Sequence, residues 1–317
     1  MERTPDKNKQ IQSLAPGSGI TPDYHDLVSN FELSYKATPS TEQLTSLIHY
    51  HECFELILYV SADIEAYIDD THYNLHTHDV LIVPPRKLHK IVYPQPQNYI
   101  RYVFYFTGEH IEKAFDSHKA SKALNLFMDQ TYQKASLSVR EFLRINYIMR
   151  NMYEHISEDQ KQDMHLLNTY SSLILQELYI IFASRPPADM TNKMLSPVEQ
   201  ILKYINDHYS ENITLEELEE KFYLNKSYIC RIFRKTMGIS LINYIQHKRI
   251  LEAQQMLLTT DASIINISLE CGFSNLQHFY RVFKKMTNLT PNEYKKNQSR
   301  TKLGQPILLQ SFKEHKT

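Results

Sequence analysis

The sequence predicts an α+β multidomain chain: an N-terminal β-barrel followed by helices, then an all-α C-terminal domain made of two helix-turn-helix units. Three observations predict it. β-rich runs separated by turn residues fill the first hundred positions. From about Ile111 the apolar period changes from two to between three and four. Beyond Pro186-Pro187 the chain repeats itself. A length of 317 residues agrees with two domains. The apolar content of 42% and charged content of 22% are those of a globular protein.

In chain order, Met1 to Thr21 is polar and rich in turn residues, and predicts a loose arm with no apolar signal core. Phe54 to Val60, Val80 to Pro84 and Tyr99 to Phe106 read as strands of a small barrel or sandwich. Ala123 to Tyr132, Val139 to Ile156 and Met164 to Phe182 carry apolar residues at helical spacing. Leu166, Leu167, Tyr170, Leu173, Ile174 and Leu178 trace one stripe, which suits either an intrachain core or a dimer contact. Leu173 to Ala183 is interrupted by Gln176 and Glu177 and is too short to span a bilayer, so no membrane partner is expected. Arg185-Pro186-Pro187 breaks the helical pattern. Cys53, Cys230 and Cys271 are few and far apart, which predicts reduced thiols in the cytoplasm rather than a disulfide framework or a CxxC metal site.

The repeat carries the functional signal. Asn225 to Lys235 (NKSYICRIFRK) aligns with Asn275 to Lys285 (NLQHFYRVFKK), pairing Arg231 with Arg281, Phe233 with Phe283 and Lys235 with Lys285. Further on, Tyr244 pairs with Tyr294. Each copy follows a short helix with its own start signal, Thr214 before Leu215 to Phe222 and Ser263 before Ile264 to Cys271. Glu217 completes a capping box with Thr214, and Gly272 supplies a sharp turn. Helix, tight turn, helix is the helix-turn-helix pattern. A formal net charge of −1 excludes bulk basicity as an argument for nucleic-acid binding, so the distribution of charge must carry it. The distribution does. Acids crowd the first helix of the first unit (Glu216, Glu217, Glu219, Glu220), whereas Asn225 to Gly238 and Asn275 to Asn288 hold bases and no acid. Between the copies, Ser240 to Leu258 reads as one helix of ~28 Å, close to one turn of B-DNA at ~34 Å. Such a spacer would seat two reading heads in successive major grooves and recognise an asymmetric site.

From about Ser196 to Lys296 the chain resembles the DNA-binding domain of the AraC/XylS family. The landmarks are Lys248-Arg249-Ile250, Ala253, Leu257, Ile264, Ile267, Cys271-Gly272-Phe273, Phe279, Phe283-Lys284-Lys285, Thr290-Pro291 and Tyr294. Asn288 departs from the usual Gly, but Asn tolerates the left-handed conformation needed there. The resemblance implies base reading by Lys226, Ser227, Cys230 and Arg231 on the first recognition helix and by Leu276, Gln277, Tyr280 and Arg281 on the second. Arg231 and Arg281 suit either a guanine edge or a phosphate, and Gln277 an adenine edge. Arg234, Lys235, Lys284 and Lys285 are expected on DNA as well, the lysines at phosphates.

The N-terminal half resembles a cupin barrel through His49, His51, Glu55 and His89. His49, His51 and Glu55 fall at even offsets, as on one strand face. The resemblance implies an effector pocket lined by these four residues, with a divalent metal at the same residues as the alternative and no cofactor otherwise expected. His78 before Asp79 stands where cupins usually have Gly, and Asp63 where a turn Gly often falls. His72, His76 and His78 read as surface groups.

Together the two resemblances predict a flexible arm at 1–22, a cupin-like sensor barrel at 23–110 and a helical dimerisation region at 111–184. A linker at 185–195, an AraC-type DNA-binding domain at 196–297 and a polar tail at 298–317 complete the chain. They imply a cytoplasmic, ligand-responsive activator or repressor. Its expected partners are double-stranded DNA, a small-molecule effector (a sugar or related metabolite), a second copy of the chain and RNA polymerase. No enzymatic activity is expected on this reading; the competing one is a cupin metalloenzyme fused to a DNA-binding module.

Overall fold

The computed structural model describes residues 31–36, 48–92, 99–158, 163–186, 195–297 and 307–308. The expected arm at 1–22, most of the linker at 185–195 and most of the tail at 298–317 lie outside the described residues. The strands are β1 (Phe31–Lys36), β2 (His49–Tyr50), β3 (Phe54–Ser61), β4 (Asp63–Ile68), β5 (Thr71–His76), β6 (Asp79–Val83), β7 (His89–Val92), β8 (Tyr99–Phe106), β9 (Lys134–Ser136) and β10 (Ile307–Leu308). Helices α1 (Gly108–Ala114), α2 (Ser117–Met128), α3 (Val139–Glu158) and α4 (Met164–Ala183) complete the N-terminal part. The C-terminal part holds α5 (Pro197–His208), α6 (Leu215–Phe222), α7 (Lys226–Met237), α8 (Leu241–Thr259), α9 (Ile264–Glu270), α10 (Leu276–Thr287) and α11 (Pro291–Asn297).

Among the described residues the strands form two antiparallel sheets, β1-β8-β3-β6-β9 and β10-β2-β7-β4-β5, which are not joined into a closed barrel. The expected barrel is therefore an open two-sheet sandwich. Ile57, Tyr59, Leu81, Val83 and Val103 of the first sheet share a core with Ile64, Ala66, Ile68, Leu75 and Ile91 of the second. The outer face of the first sheet, Leu56, Leu58, Phe104 and Phe106 among others, packs against the helical layer. In that layer Leu167, Ile174 and Leu178 of α4 are fully buried. Of the two roles open to the α4 stripe, it serves mainly the intrachain core. The stretch His165–Ala183 is long and apolar enough to cross a membrane by length and composition. It extends the short run seen in sequence.

The outer face of the second sheet is buried too. Ile48, Tyr50, Tyr67 and Leu88 share one apolar cluster with Ile201, Leu202, Ile205, Leu218, Ile229, Phe233 and Tyr244. The first helix-turn-helix unit thus rests on the sandwich, whereas the second has its own core of Ile250, Leu257, Ile267, Phe279 and Phe283. Residues of α8 belong to both clusters, so this helix joins the units.

Two backbone positions fix the turns. Tyr223 (φ 54°) and Gly272 (φ 82°) are left-handed and stand at corresponding points of the repeat. Tyr223 is 93% exposed. At Gly272 a Cβ would lie 2.7 Å from the Ser210 carbonyl oxygen and 2.9 Å from that of Tyr209. Arg249 reaches the same stretch, with Nε donating to Tyr209 O at 2.7 Å and Nη2 to Glu211 O at 2.6 Å. The chain after α5 is therefore clamped between α8 and the second turn. Gly272→Ala is expected to destabilise the protein by about 1–3 kcal/mol in urea unfolding, by strain and by displacing this segment. Tyr223→Gly, where only strain and chain entropy change, should alter stability by less than about 1 kcal/mol. Equal effects at the two positions would refute the clamp.

Candidate DNA interface and effector site

Both recognition helices begin with a capping asparagine, Asn225 Oδ1 accepting from Ser227 N at 2.9 Å and Asn275 Oδ1 from His278 N at 2.9 Å. Both end in the left-handed conformation, at Gly238 (φ 78°) and Asn288 (φ 60°), as expected of Asn288. On α7, Ile229, Phe233 and Met237 are buried. Ser227, Cys230, Arg231, Arg234 and Lys235 are exposed, and Lys226 is half-buried. On α10, Phe279, Val282 and Phe283 are buried. Leu276, Gln277, Arg281, Lys284 and Lys285 are exposed, and Tyr280 is half-buried. Adjacent pairs recurring every four residues form one continuous helix face. All twelve residues inferred from sequence thus lie on two matching faces, each opposite a buried apolar stripe.

The acids of α6 do more than sort by charge. Glu216 Oε1 lies 2.5 Å and Glu219 Oε2 3.6 Å from Lys226 Nζ, so this cation is held within the unit. Thr214 caps α6, accepting from Glu217 N at 3.2 Å. Glu217 turns away from the capping box to accept from the Tyr204 hydroxyl, which pushes that phenol up to about 12. Arg231 stacks over the Tyr228 ring, with its guanidinium carbon 5.5 Å from the centroid. Cys230 is exposed and reduced, whereas burial pushes the Cys271 thiol up to about 12.

The second site lies at the end of the sandwich. His49 and His89 face each other as register partners on β2 and β7, with ring centroids 4.1 Å apart. His51 follows β2, its ring 4.8 Å from that of His89. Glu55 does not continue their strand, as the even offsets suggested. A bend at Glu52-Cys53 passes the chain to β3, in the opposite sheet. The four residues nonetheless converge. Glu55 Oε2 lies 3.2 Å from His51 Nε2 and 3.2 Å from His89 Nε2, and Glu55 Oε1 accepts from the Tyr105 hydroxyl at 3.1 Å. Burial alone would raise the Glu55 carboxyl; the hydrogen bonds and charges of His51 and His89 outweigh it and hold it well below the usual carboxylate range.

The other ring nitrogens are committed. His51 Nδ1 sits 2.7 Å from Cys53 O and His89 Nδ1 2.8 Å from Lys87 O. A carbonyl only accepts, so Nδ1 carries the proton in both rings. Each Nε2 then faces Glu55 Oε2 either as an imidazolium N–H donor or, in the neutral ring, as a lone pair that a cation would share with the carboxylate. Two ligands on a tetrahedral divalent ion with ~2.1 Å bonds stand about 3.4 Å apart, close to the 3.2 Å seen here. His49, Glu55 and His89 offer ligand atoms all within 4.8 Å of one another. The residues fit a divalent metal, and the Cys53 and Lys87 carbonyls fix the orientation of two of the rings by accepting from Nδ1.

Of the other histidines, His72 pairs with Glu65 at 3.1 Å and exposed His76 with Asp63 at 3.1 Å. His78 is left-handed (φ 69°), as a residue in a glycine's place must be, and its ring stacks on Phe142 at 3.9 Å. Sequence reasoning missed Tyr50, Arg86 and Lys90, which bond to the C-terminal helices from the back of the histidine strands. The signal was their position, each next to or between cluster residues.

Comparison with known proteins matches both parts. A model described as an AraC-like ligand binding domain matches residues 42–169, and one described as a helix-turn-helix domain matches residues 218–297. YdiP, an HTH-type transcriptional regulator of Escherichia coli (strain K12), is 39% identical over 99 residues, 31% of this chain and 33% of that protein. The melibiose operon regulatory protein of the same strain is 33% identical over 99 residues, again 31% and 33%. The C-terminal domain of the response regulator yesN from Fusobacterium nucleatum is similar at 34% identity, covering 31% of this chain and 95% of that one with a TM-score of 0.30. The chain thus spans about a third of the length of these two full-length relatives. With an AraC-like ligand-binding model on its sandwich and a helix-turn-helix model on its helical repeat, the chain has the two-part organisation of an AraC-type transcriptional regulator.

Proposed function

We propose that this protein is a sequence-specific DNA-binding transcription regulator that responds to a small-molecule effector registered at His49, His51, Glu55 and His89. One observation carries the DNA reading: two acid-free, cation-bearing faces of six residues, each backed by a buried stripe and joined by the single helix α8. Arg231 and Arg281 take base edges, and Lys235, Lys284 and Lys285 take phosphates. The protein acts in the cytoplasm, where double-stranded DNA and RNA polymerase are its partners. A sugar or related metabolite is the effector class suggested by a relative such as the melibiose operon regulatory protein. The metalloenzyme alternative gains nothing from the named relatives, which are regulators.

A second reading of the sensor rests on the Nδ1 anchoring of His51 and His89. The cluster closes ring to ring, which suits a single divalent ion held by His49, Glu55 and His89 with His51 beside them. The ion would tie strands of both sheets together at the end of the sandwich.

The protein acts as a homodimer, and the contact face is on α3. Val139, Leu143 and Tyr147 are 64%, 57% and 69% exposed and recur every four residues. They line an open groove of about 770 Å³ with Arg140, Arg144 and Arg150. Antiparallel pairing of two α3 helices would set the small Val139 opposite the partner's large Tyr147.

Footprinting on a duplex selected from random sequence should show two protected segments about one helical turn apart on one side. Arg231→Ala should cost about 1–3 kcal/mol at one base position, whereas Lys285→Ala should weaken all sequences alike. A uniform loss for Arg231→Ala would reject base reading by it. Elemental analysis of the purified protein should find about one divalent ion per chain, lost in His89→Ala; metal-free protein that takes up no zinc would reject the metal reading. Sedimentation should show dimers for the native chain and monomers for Leu143→Glu, and monomeric native protein on DNA would reject the dimer.

A further inference from the structure

Strands β2 and β7 carry the histidine cluster on one face and the first helix-turn-helix unit on the other. Side chains alternate across a strand, so His49, His51 and His89 point into the sandwich while Ile48, Tyr50, Leu88 and Lys90 point to the helices. We propose that Tyr50 and Arg86 latch the first reading head to the back of the histidine strands, that the buried Lys90 beside them strains this latch, and that its release is coupled to the state of the cluster. The proposal rests on the reading of that cluster as the effector site.

Each latch residue is one covalent or hydrogen-bond step from a cluster residue. Tyr50 lies between His49 and His51, and its hydroxyl donates to Gln254 Oε1 on α8 at 2.6 Å. The Arg86 amide donates to His51 O at 2.8 Å. Its guanidinium meets Glu52 Oε1 at 3.1 Å and donates to Leu251 O on α8 at 2.5 Å. Lys90 follows His89, and its Nζ donates to Thr236 O at 2.6 Å, in the last turn of the recognition helix α7. A cation suits that end of a helix, where carbonyls lack partners.

Lys90 is also what makes the contact releasable. It is 1% exposed, and among the described residues the only hydrogen bond of its ammonium is to that carbonyl, with no carboxylate in an ion pair with it. A buried ammonium with one acceptor for three donors is held at a net cost. Arg86 and Tyr50 therefore hold the latch shut while Lys90 works against it. A turn of the His89 backbone as the cluster fills would move Lys90 with it. A reading head that must leave one fixed pose to enter a groove binds DNA less tightly by the fraction of molecules already free.

The full chain serves for the test. In hydrogen exchange without DNA, Tyr50→Phe/Arg86→Gln should speed exchange in residues 234–238 and 250–254 about tenfold and leave α9 and α10 unchanged. Lys90→Met, which keeps the stem and removes the buried charge, should slow it. His89→Gln, at the cluster itself, should alter exchange in 234–238. On a selected duplex the release pair should bind about tenfold more tightly than the native chain and Lys90→Met more weakly. Native-like exchange in both latch variants would overturn the latch, and unchanged exchange at 234–238 in His89→Gln would overturn its coupling to the cluster. If the double variant does not fold, Lys90→Met alone decides, since faster exchange there contradicts the proposal. Altered exchange with no DNA binding by any variant would reject the DNA reading and leave the latch standing.

Discussion

Most of this architecture depends on how few residues β2 and β7 spend on two jobs. Their inner face holds three imidazoles against one carboxylate from the opposite sheet. Their outer face supplies apolar side chains to the core of the first helix-turn-helix unit. Burying an aliphatic side chain is worth about 1.5–3 kcal/mol, so the shared cluster fixes the pose of that unit through apolar contact. The few polar bonds across it set register. The second unit has a core of its own and is aimed by α8, with Tyr294 of α11 beside Arg86 of the sandwich.

The helical repeat was nearly all legible in sequence, because local chemistry dictates it. The asparagine caps, the left-handed C-caps and the spacing of Ile229 and Phe233, or Phe279 and Phe283, are written within a dozen residues. Strands β3, β6 and β8 were legible for the same reason, as dense β-branched and aromatic runs. Helix α2 was misplaced toward its C-terminus: Asp129 ends it and caps a tighter turn at Gln130–Tyr132, and the apolar period does not reveal that stop.

What lay beyond the sequence was tertiary. The residues of the cluster were identifiable, but the sheet holding Glu55 was not, since a bend of a few residues between β2 and β3 reverses the even-offset argument. The open edges of the sandwich were equally hidden, because closure depends on hydrogen bonding between strands far apart in the chain. The α4 stripe could not be assigned to core or contact by spacing alone, and the exposed row on α3 has the same period as a buried one. Lys90 reads as an ordinary strand lysine until the helix end above it is known.

The ion pairs of Lys226 bear on how the protein would feel its ionic surroundings. A cation already neutralised by Glu216 and Glu219 displaces no counterion from DNA unless those carboxylates let go. The slope of log affinity against log salt counts only newly neutralised phosphates, at roughly 0.9 per contact on B-form duplex. The salt sensitivity of this chain should therefore fall short of its tally of basic residues on the reading faces by about one, the missing share having been settled inside the protein before any duplex arrives.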